Sequence, residues 1–129
     1  MAQVKVYALA KVLEAKGGRI SEAIHESLVE AIGLPLEKKF QRFIPLDKER
    51  FIFPSDRTDE YLIIEISMFE GRGKEMKKEL VRALYQNIGS KTQIRAHDIE
   101  ITLFETPREN WGIRGFPGDE LSLDYKVEE

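Results

Sequence analysis

One pattern, strand–helix–strand, occurs twice along this chain, and the repetition limits the possible folds more than any single residue does. In the first half Val4, Val6 and Ala8 alternate with Lys5 and Tyr7, the two-residue period of a half-buried strand. Ile20, Ile24, Leu28, Ala31 and Ile32 then recur every three or four residues, one face of a helix that Gly33 and Pro35 should end. An apolar run at 40–46 follows as a second strand, and Pro45 places it at a sheet edge or a bulge. After a polar loop at 54–59 the series restarts. Residues 61–69 read as a strand. Met76, Leu80, Leu84 and Ile88 form a helix stripe closed by Gly89, and 99–104 is the last long strand. Trp111, Gly112, Gly115, Pro117 and Gly118 make a tail of turns or a short hairpin. The two halves are offset by about 58–60 residues, as expected for a duplicated unit.

Two such units predict an α/β (α+β) fold: a duplicated β-α-β with a mixed four-stranded sheet. Right-handed crossovers put both helices on one face of that sheet. The 129 residues suit a single domain, 1–129, with pseudo-repeats at about 1–47 and 60–118. The other sheet face keeps Val, Ile and Phe side chains and is expected to pack against further subunits. The ferredoxin-like and tautomerase folds share this element string, and periodicity alone does not separate them.

Composition excludes several functions. A chain that is 42% hydrophobic and 33% charged is not a disordered one. With 20 Lys+Arg against 23 Asp+Glu, and no polybasic block, a nucleic-acid partner is not expected. There is no Cys, hence no thiolate nucleophile and no Cys-based zinc site. The two His, His25 and His97, lie far apart, so a His-based metal site is not expected. No run approaches the roughly 18 apolar residues of a membrane span, and no signal pattern opens the chain. A cytoplasmic protein is the expectation.

Met68-Phe69-Glu70-Gly71-Arg72, then Ile101-Thr102-Leu103-Phe104-Glu105, then Trp111-Gly112-Ile113-Arg114-Gly115 resemble a 4-oxalocrotonate tautomerase subunit. Length and duplication make the whole chain similar to the fused-subunit branch of the tautomerase superfamily, typified by malonate semialdehyde decarboxylase. The resemblance implies a homotrimer without cofactor. It also implies a small carboxylate-bearing keto or enol substrate and isomerase- or decarboxylase-type chemistry. In that family the catalyst is the amine of an amino-terminal proline. The matching residue here is Ala2, so the resemblance implies an altered catalyst. It further implies that Arg72 binds a substrate carboxylate, that Arg42 reaches a neighbouring pocket, and that Trp111 and Arg114 line the site from the tail. Glu70 stands where the decarboxylase branch has a second Arg, and Lys38 where it has a catalytic Asp.

Physical chemistry supports the Arg72 assignment independently. A strand-to-helix corner offers free N–H groups and the helix dipole to an anion, and a guanidinium adds a bidentate clamp. Blander readings stand beside each assignment. Arg72 could be a solvated turn residue, Arg42 a stem covering apolar surface, and Trp111 a core aromatic. His25 falls off the helix stripe and reads as solvated, His97 reads as contacting Asp98, and Asp56, Arg57, Asp59 and Glu60 read as a surface loop. The rival functions are a non-catalytic carboxylate-binding module and a ferredoxin-like regulatory domain.

Overall fold

Strand order decides between the two folds that share this element string. The computed structural model describes residues 1–121; residues 122–129, the end of the expected 1–129 domain, lie outside the described residues. β1 (Ala2–Leu9) leads into α1 (Ala10–Ile32) and β2 (Gln41–Leu46), and β3 (Leu62–Phe69) into α2 (Lys74–Thr92) and β4 (Ile99–Thr106). β1 pairs with β2 in parallel, Val4 opposite Gln41, and β3 with β4 in parallel, Leu62 opposite Ile99. The units join through antiparallel β1 and β3, with Ala2 opposite Met68 and Lys5 opposite Glu65. The sheet order is therefore β2-β1-β3-β4. Each helix returns the chain to the strand beside the one it left. A ferredoxin-like sheet instead splits each β-α-β so that another strand fits between, and that alternative is excluded. Pro45 lies on edge strand β2, where a missing N–H costs the ladder little.

Alternate residues of the two central strands face the helices. Val4 and Val6 of β1 and Leu62, Ile64, Ile66 and Met68 of β3 are at most 1% exposed. They pack in one cluster with Ile20, Ile24 and Leu28 of α1 and Leu80, Leu84 and Ile88 of α2. Each such side chain contributes roughly 1.5–3 kcal/mol by leaving water. The repeat spacing is 60 along these elements. Ile20 and Leu80, Ile24 and Leu84, Leu28 and Ile88 occupy equivalent places, as do the strand ends Leu9 and Phe69.

The opposite sheet face is less apolar than expected. Between the buried positions of β3 stand Ile63, Glu65 and Ser67, all half-buried, and Lys5 reaches Glu65 at 3.7 Å. Tyr7, Ile44 and the 46%-exposed Phe104 supply the apolar part. Alternation along β3 therefore reads apolar on the helix side and mixed on the other.

Both helix boundaries differ from the apolar stripe. α1 starts at Ala10, ten residues before Ile20, because Val12 is the one buried side chain in that stretch and gives no periodic signal. Its end is as read: Gly33 takes the left-handed conformation at φ 68°, and its N–H donates to Val29 at 3.2 Å. α2 runs through Gly89 to Thr92. The left-handed residue there is Gln93, φ 60°, whose N–H donates to the Gly89 carbonyl at 2.9 Å. A glutamine carries no stop signal, so the nearest glycine drew the boundary.

Three local readings also change. His25 is 6% exposed, with Nε2 donating to the Leu36 carbonyl at 2.6 Å, because the segment after α1 folds over that face. His97 approaches Asp56 at 3.3 Å, while Asp98 is 1% exposed and accepts from Thr58 N–H and Arg95 Nε. The loop 54–60 is thus anchored to β4, since Arg57 and the Tyr61 hydroxyl both donate to Glu100. Among the described residues no helix is long and apolar enough to cross a membrane.

The paired helix ends provide a stability test. Nothing lies within 4 Å of a Cβ placed on Gly33, so only its positive φ penalises a side chain. Gly33→Gln should cost about 1 kcal/mol and Gln93→Gly should gain about 0.5–1 kcal/mol, read from urea midpoints. Equal shifts in one direction would contradict the equivalence of the two ends.

Candidate active site

Because β1 and β3 run antiparallel, the chain start lies beside the end of β3, and parallel β4 ends at the same edge. Three segments leave the sheet there. After β3 the chain turns at Gly71, φ 127°, a conformation that favours glycine, and enters α2. The turn carries Arg72 inward. It is 5% exposed, and its Nη1 donates to the Phe69 carbonyl at 3.2 Å. Arg72 is therefore not the solvated turn residue of the bland reading.

After β4, Pro107 leads into a short 3-10 turn, Arg108–Asn110, which holds the Arg108 guanidinium 5.4 Å from the centre of the Phe69 ring. Trp111 stands edge-on to the same ring, centroids 5.2 Å apart, and its Nε1 donates to Thr106 Oγ1 at 2.7 Å. The tail then forms a hairpin, β5 (Gly112–Ile113) with β6 (Phe116–Pro117). Arg114 and Gly115 turn it with φ of 51° and 88°, the paired positive values of a tight hairpin turn. Gly118 brings the strand back by donating to the Trp111 carbonyl at 2.8 Å. A Cβ on Gly118 would lie 2.3 Å from the Arg108 carbonyl oxygen, so no other residue fits.

Met1 closes the constellation. It is 5% exposed and packs with Phe69, Trp111 and Ile113. Burial of its amine, reinforced by the charges of Arg72 and Arg108, lowers the pKa from 8.0 to about 5. The nitrogen is consequently unprotonated at neutral pH, with its lone pair available. A neutral amine, two guanidinium groups and an aromatic wall can together hold a small anion and move a proton.

The sequence-derived candidates separate into two groups. Arg72 and Trp111 meet around the amine. Ala2 is 1% exposed with its side chain in the main core, and the amine at the head of β1 is carried by Met1. Arg42 is exposed on β2, with β1 between it and β3; it lines a depression of about 370 Å³ with Gln3, Lys39, Phe40 and Gln41. Arg114 sits in the exposed hairpin turn. Sequence reasoning missed Arg108 and Phe69. The repeat held a signal for the first, since Lys48 stands 60 positions before Arg108. Among the described residues no group of three or more His, Cys, Asp or Glu side chains converges to hold a metal.

The opposite end of the sheet carries the equivalent positions with different chemistry. Tyr61 stands for Met1, Phe51 for Trp111, Val12 for Arg72 and Lys48 for Arg108. Phe51, Phe53 and Tyr61 pack edge-on or tilted with centroids 5.1–5.4 Å apart, and Lys11 and Lys48 bind Asp59 at 2.8 and 3.0 Å. The arginine at that end, Arg57, lies 5.8 Å from the centre of the Tyr61 ring and is paired with Asp56 and Glu100.

Comparison with known proteins gives consistent results. The family described as tautomerase enzyme matches residues 38–114. A probable tautomerase of Bacillus subtilis strain 168, YusQ, is 31% identical over 98 residues, covering 72% of this chain and 77% of that protein. A 2-hydroxymuconate tautomerase of Comamonas testosteroni is 34% identical over 61 residues, 44% of this chain and 90% of its own. Malonate semialdehyde decarboxylase superposes with a TM-score of 0.80 at 17% identity, over 92% of this chain and 99% of that one. Native fused 4-OT does so with a TM-score of 0.80 at 20% identity, over 92% and 98%. At these identities the structural likeness is one of fold.

The amine's environment can be tested directly. The rate of acylation at residue 1, followed by peptide mass against pH, should show a midpoint near 5. Arg108→Ala should move it upward, because one of the two cations disfavouring the ammonium is gone. A wild-type midpoint near 8 would mean that the amine is solvated.

Proposed function

Because the chain belongs to the tautomerase family, we propose that it moves a proton between oxygen and carbon of a small carboxylate-bearing keto or enol compound, with the chain-start amine as the base. The observation that carries this reading is the neutral amine held beside Arg72 and Arg108. The substrate carboxylate pairs with the guanidinium groups, which also stabilise the enolate as negative charge develops. The amine accepts the proton from the enol hydroxyl and, as an ammonium, returns it to carbon. Phe69 and Trp111 keep water from the exchanging proton.

The family's proline is replaced by Ala2, and an unmodified α-amine titrating at about 7.7–8.0 would be mostly protonated at neutral pH and a poor base. The buried amine of this chain supports the opposite expectation, since its pKa of about 5 leaves it neutral without the proline ring. A homotrimer completes the proposal. It is supported by the trimeric fused 4-OT proteins that share the fold, and by Phe40, Phe104 and Phe116, each at least 45% exposed. In such an assembly Arg42 and Arg114 are placed to meet a neighbouring copy. Light scattering should give three chains per particle at micromolar concentration, and a monomer would remove this part.

Ketonisation of phenylenolpyruvate, followed by loss of enol absorbance, tests the activity. Turnover should be measurable near neutral pH and fall as pH drops through about 5, where the base becomes protonated. Arg72→Ala should lower kcat/KM about 10- to 100-fold through loss of a charge-assisted hydrogen bond. It should also lower stability measurably, because the side chain is buried and bonded to Phe69. Carboxylate binding without turnover would favour the non-catalytic module, which the absence of the proline suggests as the second reading.

A further inference from the structure

A hollow of about 420 Å³ lies against the exposed side of α1 and shares no residue with the candidate active site. Glu22, His25, Glu26 and Glu30 line it from α1, Leu36 from the segment that follows, and Lys91 from α2. We propose that this hollow binds an organic ammonium ion carrying a short apolar chain.

The His25 ring points to a ligand. It is the one buried residue of the lining, at 6% exposure. Its Nε2 donates to the Leu36 carbonyl at 2.6 Å, and a carbonyl oxygen only accepts, so the ring hydrogen is on Nε2. In the neutral ring Nδ1 is therefore an acceptor. That atom is buried and has no hydrogen-bond partner among the described residues. Buried acceptors are normally satisfied, because an unmade bond carries the full cost of losing water.

The groups around the ring define what would satisfy it. Glu22, Glu26 and Glu30 are acceptors only when ionised, so α1 offers this hollow lone pairs and negative charge. Lys91 is engaged with Glu26 at 3.3 Å, and Glu30 takes a hydrogen bond from Asn87 at 3.0 Å. Glu22, three residues before His25 on the same side of the helix, makes no ion pair among the described residues. An ammonium group meets both needs, with one N–H for Nδ1 and others for the carboxylates. A hydroxyl supplies a hydrogen without the charge, and a carboxylate supplies neither. With Lys39 at the rim, three acids and two bases leave one negative charge, which suits a singly charged ligand better than a polycation. Val29, half-buried, and Leu36, 74% exposed, give the short chain an apolar surface to cover. A volume of this size holds a small molecule and not a protein partner.

The chain has two histidines, so its imidazole nitrogens can be followed one by one in long-range nitrogen–proton NMR spectra. His97, beside Asp56, is the internal control. The full chain is titrated at pH 8 with hexylammonium chloride, hexanol and sodium hexanoate. An alkylammonium, like a lysine side chain titrating at about 10.4, keeps its charge there. The expected result is a saturable upfield shift of His25 Nδ1 with hexylammonium, as a lone pair accepts a hydrogen bond, while His97 stays still. Hexanol should bind about tenfold more weakly, and hexanoate should not bind. Glu22→Gln, a change at an exposed position that leaves the core intact, should weaken hexylammonium about two- to fivefold. Equal affinity for hexanol and hexylammonium would overturn the proposal, since the hollow would then select apolar chains without reading charge. A still His25, or shifts of both histidines that never saturate, would overturn it as well.

Discussion

The antiparallel pairing of β1 with β3 is the contact on which the rest of the molecule depends. It joins the two β-α-β units, placing Val4 and Val6 beside Ile66 and Ile64 at the middle of the core. Its direction also sets the location of the site. A parallel junction would put the chain start at the far end of the sheet from Arg72. The antiparallel one brings it to Met68, from which Phe69 and Arg72 follow within one turn of backbone. The core ladder and the chemistry therefore share one determinant.

What surrounds the amine is set by close packing of backbone. Gly71 turns the chain so that Arg72 goes inward, and Gly118 lets the hairpin approach the Arg108 carbonyl. With the hairpin seated, Trp111 meets Phe69, and Met1 has a dry surface on which to lie. Burial disfavours a charged amine here, and the neighbouring Arg72 and Arg108 charges disfavour it further. The amine responds by giving up its proton, which is the state that proton transfer requires.

Much of this was legible in the amino-acid sequence, unevenly and for physical reasons. Strands and helices with one buried face announce themselves, so Val4–Val6–Ala8 and the Leu80–Leu84–Ile88 stripe were found. The first turns of α1 expose nearly everything and carry no period, so its start was missed by ten residues. Gln93 adopts a glycine-like conformation without being glycine. Arg72 and Trp111 were readable from their motif. For Arg108 the 60-residue spacing offered only a basic residue at Lys48, because its role depends on a short 3-10 turn that aims it at Phe69. Burial of the Met1 amine was likewise unreadable, since it needs Phe69, Trp111 and Ile113 brought together from separate segments.

The two ends of the sheet differ first in connectivity and only then in side chains. Tyr61 lies where Met1 lies, yet it follows Glu60 through a peptide bond, and an amide nitrogen has no basic lone pair. The Met1 amine thus lies at one end of the sheet and Tyr61 at the other. The Tyr61 end holds Phe51, Phe53 and Tyr61 with ring centroids 5.1–5.4 Å apart. The functional asymmetry of the molecule is a property of how the polypeptide is strung. A circular permutant opened between Glu60 and Tyr61 would keep the sheet's core contacts while moving the free amine to an end whose arginine, Arg57, is already engaged by Asp56 and Glu100.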